Sequence, residues 1–215
     1  MEFLEQCFSL FHKGGPVMYI LALCSVAVLA IWVERYLYYK EMTKETENFI
    51  PTLQGILEKQ NIGEAMQLCQ RTKSGLAIIA LKGLQAVGQE RNIESVLEGS
   101  ALLMAARLRE YLNYLSTMVT LAPLLGLLGT VIGMINSFSV LNVKTGQPLA
   151  ITSGVGEALV ATATGLSVAI LAMVVHTYYS HRLDGIVTDI EEMCNMLVGS
   201  LTSKKVARGK THEIA

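Results

Sequence analysis

The chain has 215 residues, of which 52% are hydrophobic and only 16% charged, and its mean hydropathy is +0.43. A soluble globular chain carries about 25% charge, so this composition points into a membrane, and a net charge of -1 excludes the basic footprint that nucleic acid requires. Cys7, Cys24, Cys69 and Cys194 stand singly and far apart, with no C-x-x-C pair to hold zinc or run redox chemistry.

In chain order, the first apolar segment covers residues 17–33 and is followed by Tyr36, Tyr38 and Tyr39, a residue type enriched at membrane–water interfaces. A spanning helix needs about 20 largely apolar residues. This one reads as a retained span rather than a cleaved signal peptide, because Lys13 is the single cation ahead of it and two further spans follow. The polar stretch 40–113 reads as helical. Asn61 with Glu64 is a variant capping box, in which the Asn side chain accepts from an early amide and Glu reaches back. A helix through Ala65, Met66, Leu68 and Cys69 should follow, and another should begin near Asn92, with Ile93, Val96, Leu97, Ala101 and Met104 on one face. Together these predict a small helical bundle. It holds no Gly-rich phosphate loop, no His and carboxylate cluster and no nucleophile elbow, so neither an enzyme activity nor a cofactor or metal is expected.

No charged residue lies between Glu110 and Lys144. Within this second span Ser116, Thr120, Pro123, Gly126, Thr130, Gly133 and Ser137 recur three or four apart, which places them in one stripe along a helix. Lipid offers no hydrophobic drive for helices to associate, so small residues mark close approach and hydroxyls mark hydrogen bonds or water. The stripe is expected to face protein or a pore.

The third span, residues 151–180, carries Ala158, Thr162, Gly165, Ala169, Ala172 and His176 on one side and Ser153, Glu157, Ala161, Thr164 and Ser167 on an adjacent one. At a rise of 1.5 Å per residue, Thr130 lies about 20 Å from an outer end near Val143, and Thr162 about 16 Å from one near Ile151. Antiparallel packing would bring the two threonines to similar depth. Two readings of the pair remain open: hydroxyls that hold water or a partner group, or packing residues satisfied by the carbonyl one turn back. Glu157, about 8 Å inside the outer end by the same rise, is either a pore-mouth or intersubunit group or an interfacial carboxylate that snorkels. His176 reads as interfacial. Coupled ion translocation needs a titratable group near mid-membrane, and these spans have no carboxylate there. An ion path would therefore need another chain to supply one.

Cytoplasmic flanks are enriched in Lys and Arg. Ten of the 17 basic residues fall between Arg35 and Asn113 and five after His181, while Lys13 and Lys144 stand alone in their segments. This predicts a periplasmic segment 1–16, a span 17–39, a cytoplasmic helical domain 40–113, a span 114–142, a short periplasmic loop 143–152, a span 153–180 and a cytoplasmic tail 181–215. The basic run 204–210 in that tail reads as a solvated end near anionic lipid.

Residues 14–21 read GGPVMYIL, residues 122–138 APLLGLLGTVIGMINSF and residues 151–170 ITSGVGEALVATATGLSVAI. These resemble the three membrane signatures of the MotA/TolQ/ExbB proton-channel family, ExbB and TolQ above all. The resemblance implies an all-α integral membrane protein with three long transmembrane helices and a helical cytoplasmic domain, assembling as a ring in the bacterial inner membrane. It further implies five copies around a dimeric, single-span ExbD- or TolR-like partner with a membrane Asp. Ion flux would then drive force onto a TonB- or TolA-like periplasmic protein for outer-membrane import or envelope maintenance.

By the same resemblance, Thr130 in G-T-V and Thr162 in A-L-x-A-T line the pore, Glu157 is the family glutamate before A-L, and Pro123 and Gly129 are packing positions. Gly126, Gly133, Ala158 and Gly165 join them as helix-packing residues from the stripe pattern. Two departures stand out: Leu171 where many members have Pro, and Tyr179 with Ser180 in place of Tyr-Asn. A non-conducting scaffold and a flagellar-type stator are the competing readings. TonB-type or Tol-type output, and H+ or Na+, stay open.

Overall fold

The computed structural model describes residues 15–44, 46–59, 61–89, 91–141 and 148–212, with the side chains at 47, 140–141, 148–153 and 202–212 excepted. The expectations for the N-terminal segment with Cys7 and Lys13, for Lys144, for the Ser153 side chain and for the basic side chains at 204–210 lie outside the described residues.

Among the described residues the chain forms six helices: α1 (Pro16–Met42), α2 (Thr46–Glu58), α3 (Ile62–Arg71), α4 (Gly75–Gly88), α5 (Ile93–Leu141) and α6 (Pro148–His212). Helices α1, α5 and α6 are each long and apolar enough to cross a membrane. Helix α1 starts where a left-handed Gly15, φ 69°, turns the chain into Pro16, whose fixed φ suits the first helical position. The second and third apolar segments are parts of much longer helices, 49 residues in α5 and 65 in α6. Helix α6 already begins at Pro148, inside the stretch expected as a loop. Its continuation past residue 180, expected as a tail, buries Leu183, Ile186, Ile190, Met193, Leu197 and Leu201 at three- and four-residue spacing.

The chain divides into two compact units, residues 1–34 with 111–179, and residues 35–110 with 180–215. In sequence, each division falls beside the charges that end an apolar run: Glu34 and Arg35, Glu110, and His181 and Arg182.

In the first unit, Val17, Met18, Leu21 and Cys24 of α1 form one buried cluster with Ala122 of α5 and with Ala161, Val168 and Ala169 of α6. The Tyr179 hydroxyl donates to the Trp32 carbonyl at 3.2 Å, tying α6 to α1. Leu23, Val26, Leu124, Leu159, Ile170 and Val174 stay exposed. Apolar side chains turned outward on helices of this length suit lipid or a neighbouring chain.

In the second unit the capping expectations hold with one change. Asn61 caps α3 by accepting from the Glu64 amide at 3.2 Å. The Asn61 amide, however, donates to the Ile56 carbonyl at 3.3 Å. Glu64 therefore accepts from the Asn61 side-chain amide at 2.9 Å instead of reaching the backbone. Ala65 and Cys69 of α3 are buried, as is Leu97 of α5. Leu97 lies against Gly83 of α4 so closely that a Cβ at Gly83 would sit 2.5 Å from Leu97 Cδ2. Arg35 is only 2% exposed and donates from Nη1 to the carbonyls of Arg107 (3.3 Å) and Leu108 (3.2 Å), with its guanidinium 4.8 Å from the Tyr38 ring. The Tyr39 hydroxyl joins at the Leu108 carbonyl, 3.2 Å away.

Candidate ion-pathway site

The site is built where α5 and α6 cross. Both helices present their smallest residues to each other, so backbone meets backbone. A Cβ added at Gly165 would lie 2.6 Å from the Ala122 carbonyl oxygen and 2.9 Å from Gly126 Cα. One added at Gly126 would lie 3.2 Å from both Ala161 O and Thr162 Cα. Further along, Gly129 meets Ala161, Gly133 meets Ala158, and Gly154 meets the Ser137 hydroxyl. The register is antiparallel: ascending positions in α5 meet descending positions in α6. Thr130 lies level with residues between Ala158 and Ala161, so the two threonines fall within one helical turn of each other in depth, about 5 Å.

Their hydroxyls do not meet. Thr162 Oγ1 donates across the crossing to the Gly126 carbonyl at 3.1 Å, whereas Thr130 Oγ1 donates within its own helix to Leu127 at 2.6 Å. Thr120 donates to Ser116, Thr164 to Val160 and Ser167 to Ala163, each one turn back, at 3.1, 2.8 and 2.8 Å. The plain packing description thus fits Thr130's donor, and an interhelical bond fits Thr162's. Pro123 is half-buried and lacks the amide that would otherwise bond Val119, so this carbonyl has one donor fewer.

The packing stripe is narrower than the sequence pattern. Gly126, Gly129, Ser137, Ala158, Ala161 and Gly165 are buried, whereas Ser116 and Thr120 are exposed. Ala161, expected on the Glu157 side, belongs to the packing face. At 100° per residue, positions 158, 161, 165, 168 and 172 share one arc. Thr164 is half-exposed and Ser167 exposed, and both lie outside that arc. Glu157 is half-buried and makes no hydrogen bond or ion pair among the described residues. His176 is also half-buried.

The tyrosines following the first span separate. Tyr36 is exposed, whereas Tyr39 is buried with its hydroxyl on Leu108. Tyr179 and Arg35 were not singled out as buried polar anchors by sequence. Their only signal was position, an aromatic or basic residue directly after an apolar run. Among the described residues no group of three His, Cys, Asp or Glu side chains could hold a metal ion.

The MotA/TolQ/ExbB proton channel family matches over residues 71–192, more than half of the chain and the whole of the α5/α6 crossing. The chain belongs to this family. As a MotA/TolQ/ExbB member it is a membrane protein, and its relatives are of the ExbB and TolQ kinds. An ExbB-like biopolymer transport protein of Synechocystis sp. is 34% identical over 77% of this chain and 67% of its own length. An ExbB homolog of Methanothermobacter thermautotrophicus is 27% identical over 89% of this chain and 69% of its own. The Tol-Pal system protein TolQ of Pseudomonas aeruginosa is 37% identical over 41% of this chain and 42% of its own.

Proposed function

We propose that this chain is the ring-forming inner-membrane subunit of an ExbB/TolQ-like motor driven by the proton-motive force. Five copies would surround a dimeric ExbD- or TolR-like partner whose single span carries an Asp. The output would be force on a TonB- or TolA-like protein. In this reading residues 17–39, 114–142 and 153–180 span the bilayer, with residues 1–16 and 143–152 periplasmic, and 40–113 and 181–215 cytoplasmic.

One observation carries the proposal. Helices α5 and α6 close on each other through Gly126 and Gly165, yet they leave the hydroxyl-bearing residues Thr130 and Thr164 half-exposed and Ser167 exposed. The described parts of both helices between Glu110 and Asp184 carry one carboxylate, Glu157, and it stands only nine residues from the start of α6. A polar face with no mid-span acid of its own suits a conduit completed by a foreign carboxyl group. Protonation would neutralise that group and lower the cost of carrying it past apolar surface, about 2.5–3.5 kcal/mol on insertion scales. Release of the proton to the cytoplasm would restore the charge. Thr130 and Thr162 would line the path, Glu157 would shape the field at its outer mouth, and Pro123, Gly126, Gly129, Gly133, Ala158 and Gly165 would hold the walls together.

The test is partner-dependent proton flux in liposomes. Replacing Thr130 and Thr162 together by Val should slow it about tenfold, the rate equivalent of a ~1.4 kcal/mol interaction. Unchanged flux in that variant refutes the role of the threonines. An intact assembly that never conducts favours the scaffold reading, and full conduction by this chain's oligomer alone refutes the need for a partner acid.

A further inference from the structure

One face of α5 changes character along its length. At 100° per residue, Asn113, Ser116, Thr117 and Thr120 share an arc about 100° wide, opposite the buried Leu115, Ala122, Gly126 and Gly129. All four are exposed. The same arc continues through Leu124, Leu127 and Val131, which are also exposed but apolar. Ser116 and Thr120 are thus the part of the sequence stripe that the α5/α6 crossing does not use.

Their depth excludes a headgroup explanation. Thr120 lies ten residues past Glu110, about 15 Å by helical rise. Headgroups occupy about 5–8 Å on each side of a hydrocarbon core of about 30 Å. A helix along the membrane normal, with Glu110 at their outer edge, still carries Thr120 about 7–10 Å into hydrocarbon.

Polar groups at that depth need partners. Among the described residues, the side chains of Asn113 and Ser116 make no hydrogen bond. Thr117 and Thr120 give their hydrogens to the Asn113 and Ser116 carbonyls, at 3.0 and 3.1 Å. Neither serves Val119, whose carbonyl loses its helical donor at Pro123. Two side chains and one main-chain carbonyl therefore require solvent on one stretch of helix, and that stretch stops at Leu124.

We propose that residues 113–123 of α5 form a water-filled inlet from the cytoplasmic side, closed by a dry collar at Leu124 and Leu127. The inlet deepens the conduit reading above and rests on it for its side of the membrane. It runs along the face of α5 turned away from the α5/α6 crossing, so protons reach the cytoplasm without passing between those two helices. Water in the inlet hydrates the Val119 carbonyl. The collar keeps water from running through continuously, as apolar constrictions do by dewetting.

Thiol accessibility tests the inlet. Ser116→Cys, Thr120→Cys, Leu121→Cys and Leu124→Cys are made one at a time in the full chain, which is assembled with its partner in vesicles. A membrane-impermeant maleimide is added from either side, and labelled peptides are identified by mass spectrometry, so the native cysteines stay in place. Cysteine reacts as its thiolate, and a dry site that raises the thiol pKa by about one unit slows labelling about tenfold. Ser116→Cys and Thr120→Cys should therefore label from the cytoplasmic side at least about tenfold faster than Leu121→Cys and Leu124→Cys. Leu121 is the sharp control, because it is 42% exposed at nearly the depth of Thr120 but turned 100° away. Equal labelling of Thr120→Cys and Leu121→Cys would mean a wet headgroup zone. No labelling of Ser116→Cys and Thr120→Cys would mean lipid or a neighbouring helix against them. Either result overturns the inlet, fast labelling of Leu124→Cys overturns the collar, and entry from the periplasmic side alone overturns the cytoplasmic assignment. Wild-type proton flux in the same vesicles separates the two levels. Flux without labelling refutes the inlet alone, whereas labelling without flux refutes the conduit that the inlet is meant to serve.

Discussion

Gly165→Ala places a methyl group where the structure has no room for one. Its carbon would sit 2.6 Å from the Ala122 carbonyl oxygen, against about 3.3–3.6 Å for an ordinary carbon–oxygen contact, so the helices must part by roughly 0.7–1 Å. Backbone, unlike a flexible side chain, cannot yield by changing rotamer. Overpacking of this kind costs about 1–3 kcal/mol. The same separation stretches the 3.1 Å bond from Thr162 to Gly126 past hydrogen-bonding range, which removes about 0.6 kcal/mol more. The total of about 2–4 kcal/mol corresponds to a melting temperature lowered by roughly 4–16 °C for a chain of this size. Thermal unfolding in nanodiscs, followed by tryptophan fluorescence of Trp32 and by circular dichroism, measures it. Gly156→Ala and Gly185→Ala are the controls, because a Cβ at either position has nothing within 4 Å. Both should be neutral or slightly stabilising, since Ala is favoured over Gly by about 1 kcal/mol in a helix. If Gly165→Ala melts with these controls, the close crossing of α5 and α6 is wrong.

Three further outcomes follow from the second unit. Gly83→Ala should destabilise the chain, because its Cβ would lie 2.5 Å from Leu97 Cδ2; combined with Leu97→Ala it should cost less than the sum of the single changes, as read from a double-mutant cycle of melting temperatures. Asn61→Ala should cost about 1 kcal/mol by removing the cap of α3, visible as faster amide exchange at Glu64; unchanged protection there would contradict the cap. Burial pushes the Cys69 thiol up to about 11, so it should resist maleimide at pH 8 in the folded protein and react on unfolding. Because the folded value is the higher one, its stabilising contribution is complete below the ordinary thiol pKa of about 8.5 and is lost as pH rises toward 11. Wild type and Cys69→Ala should therefore differ more in melting temperature at pH 7 than at pH 11.

The spans were legible because bilayer thickness imposes a length on any apolar helix, and the α3 cap because Asn61 and Glu64 are a local pair. At Gly126, Gly133, Ala158 and Gly165 the small-residue stripe lies where α5 and α6 approach each other. What sequence misjudged was where local pattern competes with tertiary structure. Ala161 is as small as its neighbours, so composition alone could not decide which of two adjacent faces it served. The Glu64 carboxylate was diverted because Ile56, outside the motif, claims the Asn61 amide. The stretch after residue 180 looked like a tail because its end is basic, although Leu183, Ile186, Ile190, Met193 and Leu197 already carried a helical spacing. Arg35 gave no hint of burial, because a cation after a span ordinarily turns to water. Its partners are carbonyls more than 70 residues away in sequence.

The contact between Gly126 and Gly165 has a mechanical meaning. Side chains at an ordinary helix interface absorb small displacements by rotating, but here main chain abuts main chain and nothing is available to rotate. The α5/α6 hairpin is therefore a stiff strut within its unit, whereas α1 leans on it through Val17, Met18 and Leu21, whose torsions can readjust. Compliance in that unit resides at the α1 seam, and a load borne by the hairpin is carried without being cushioned.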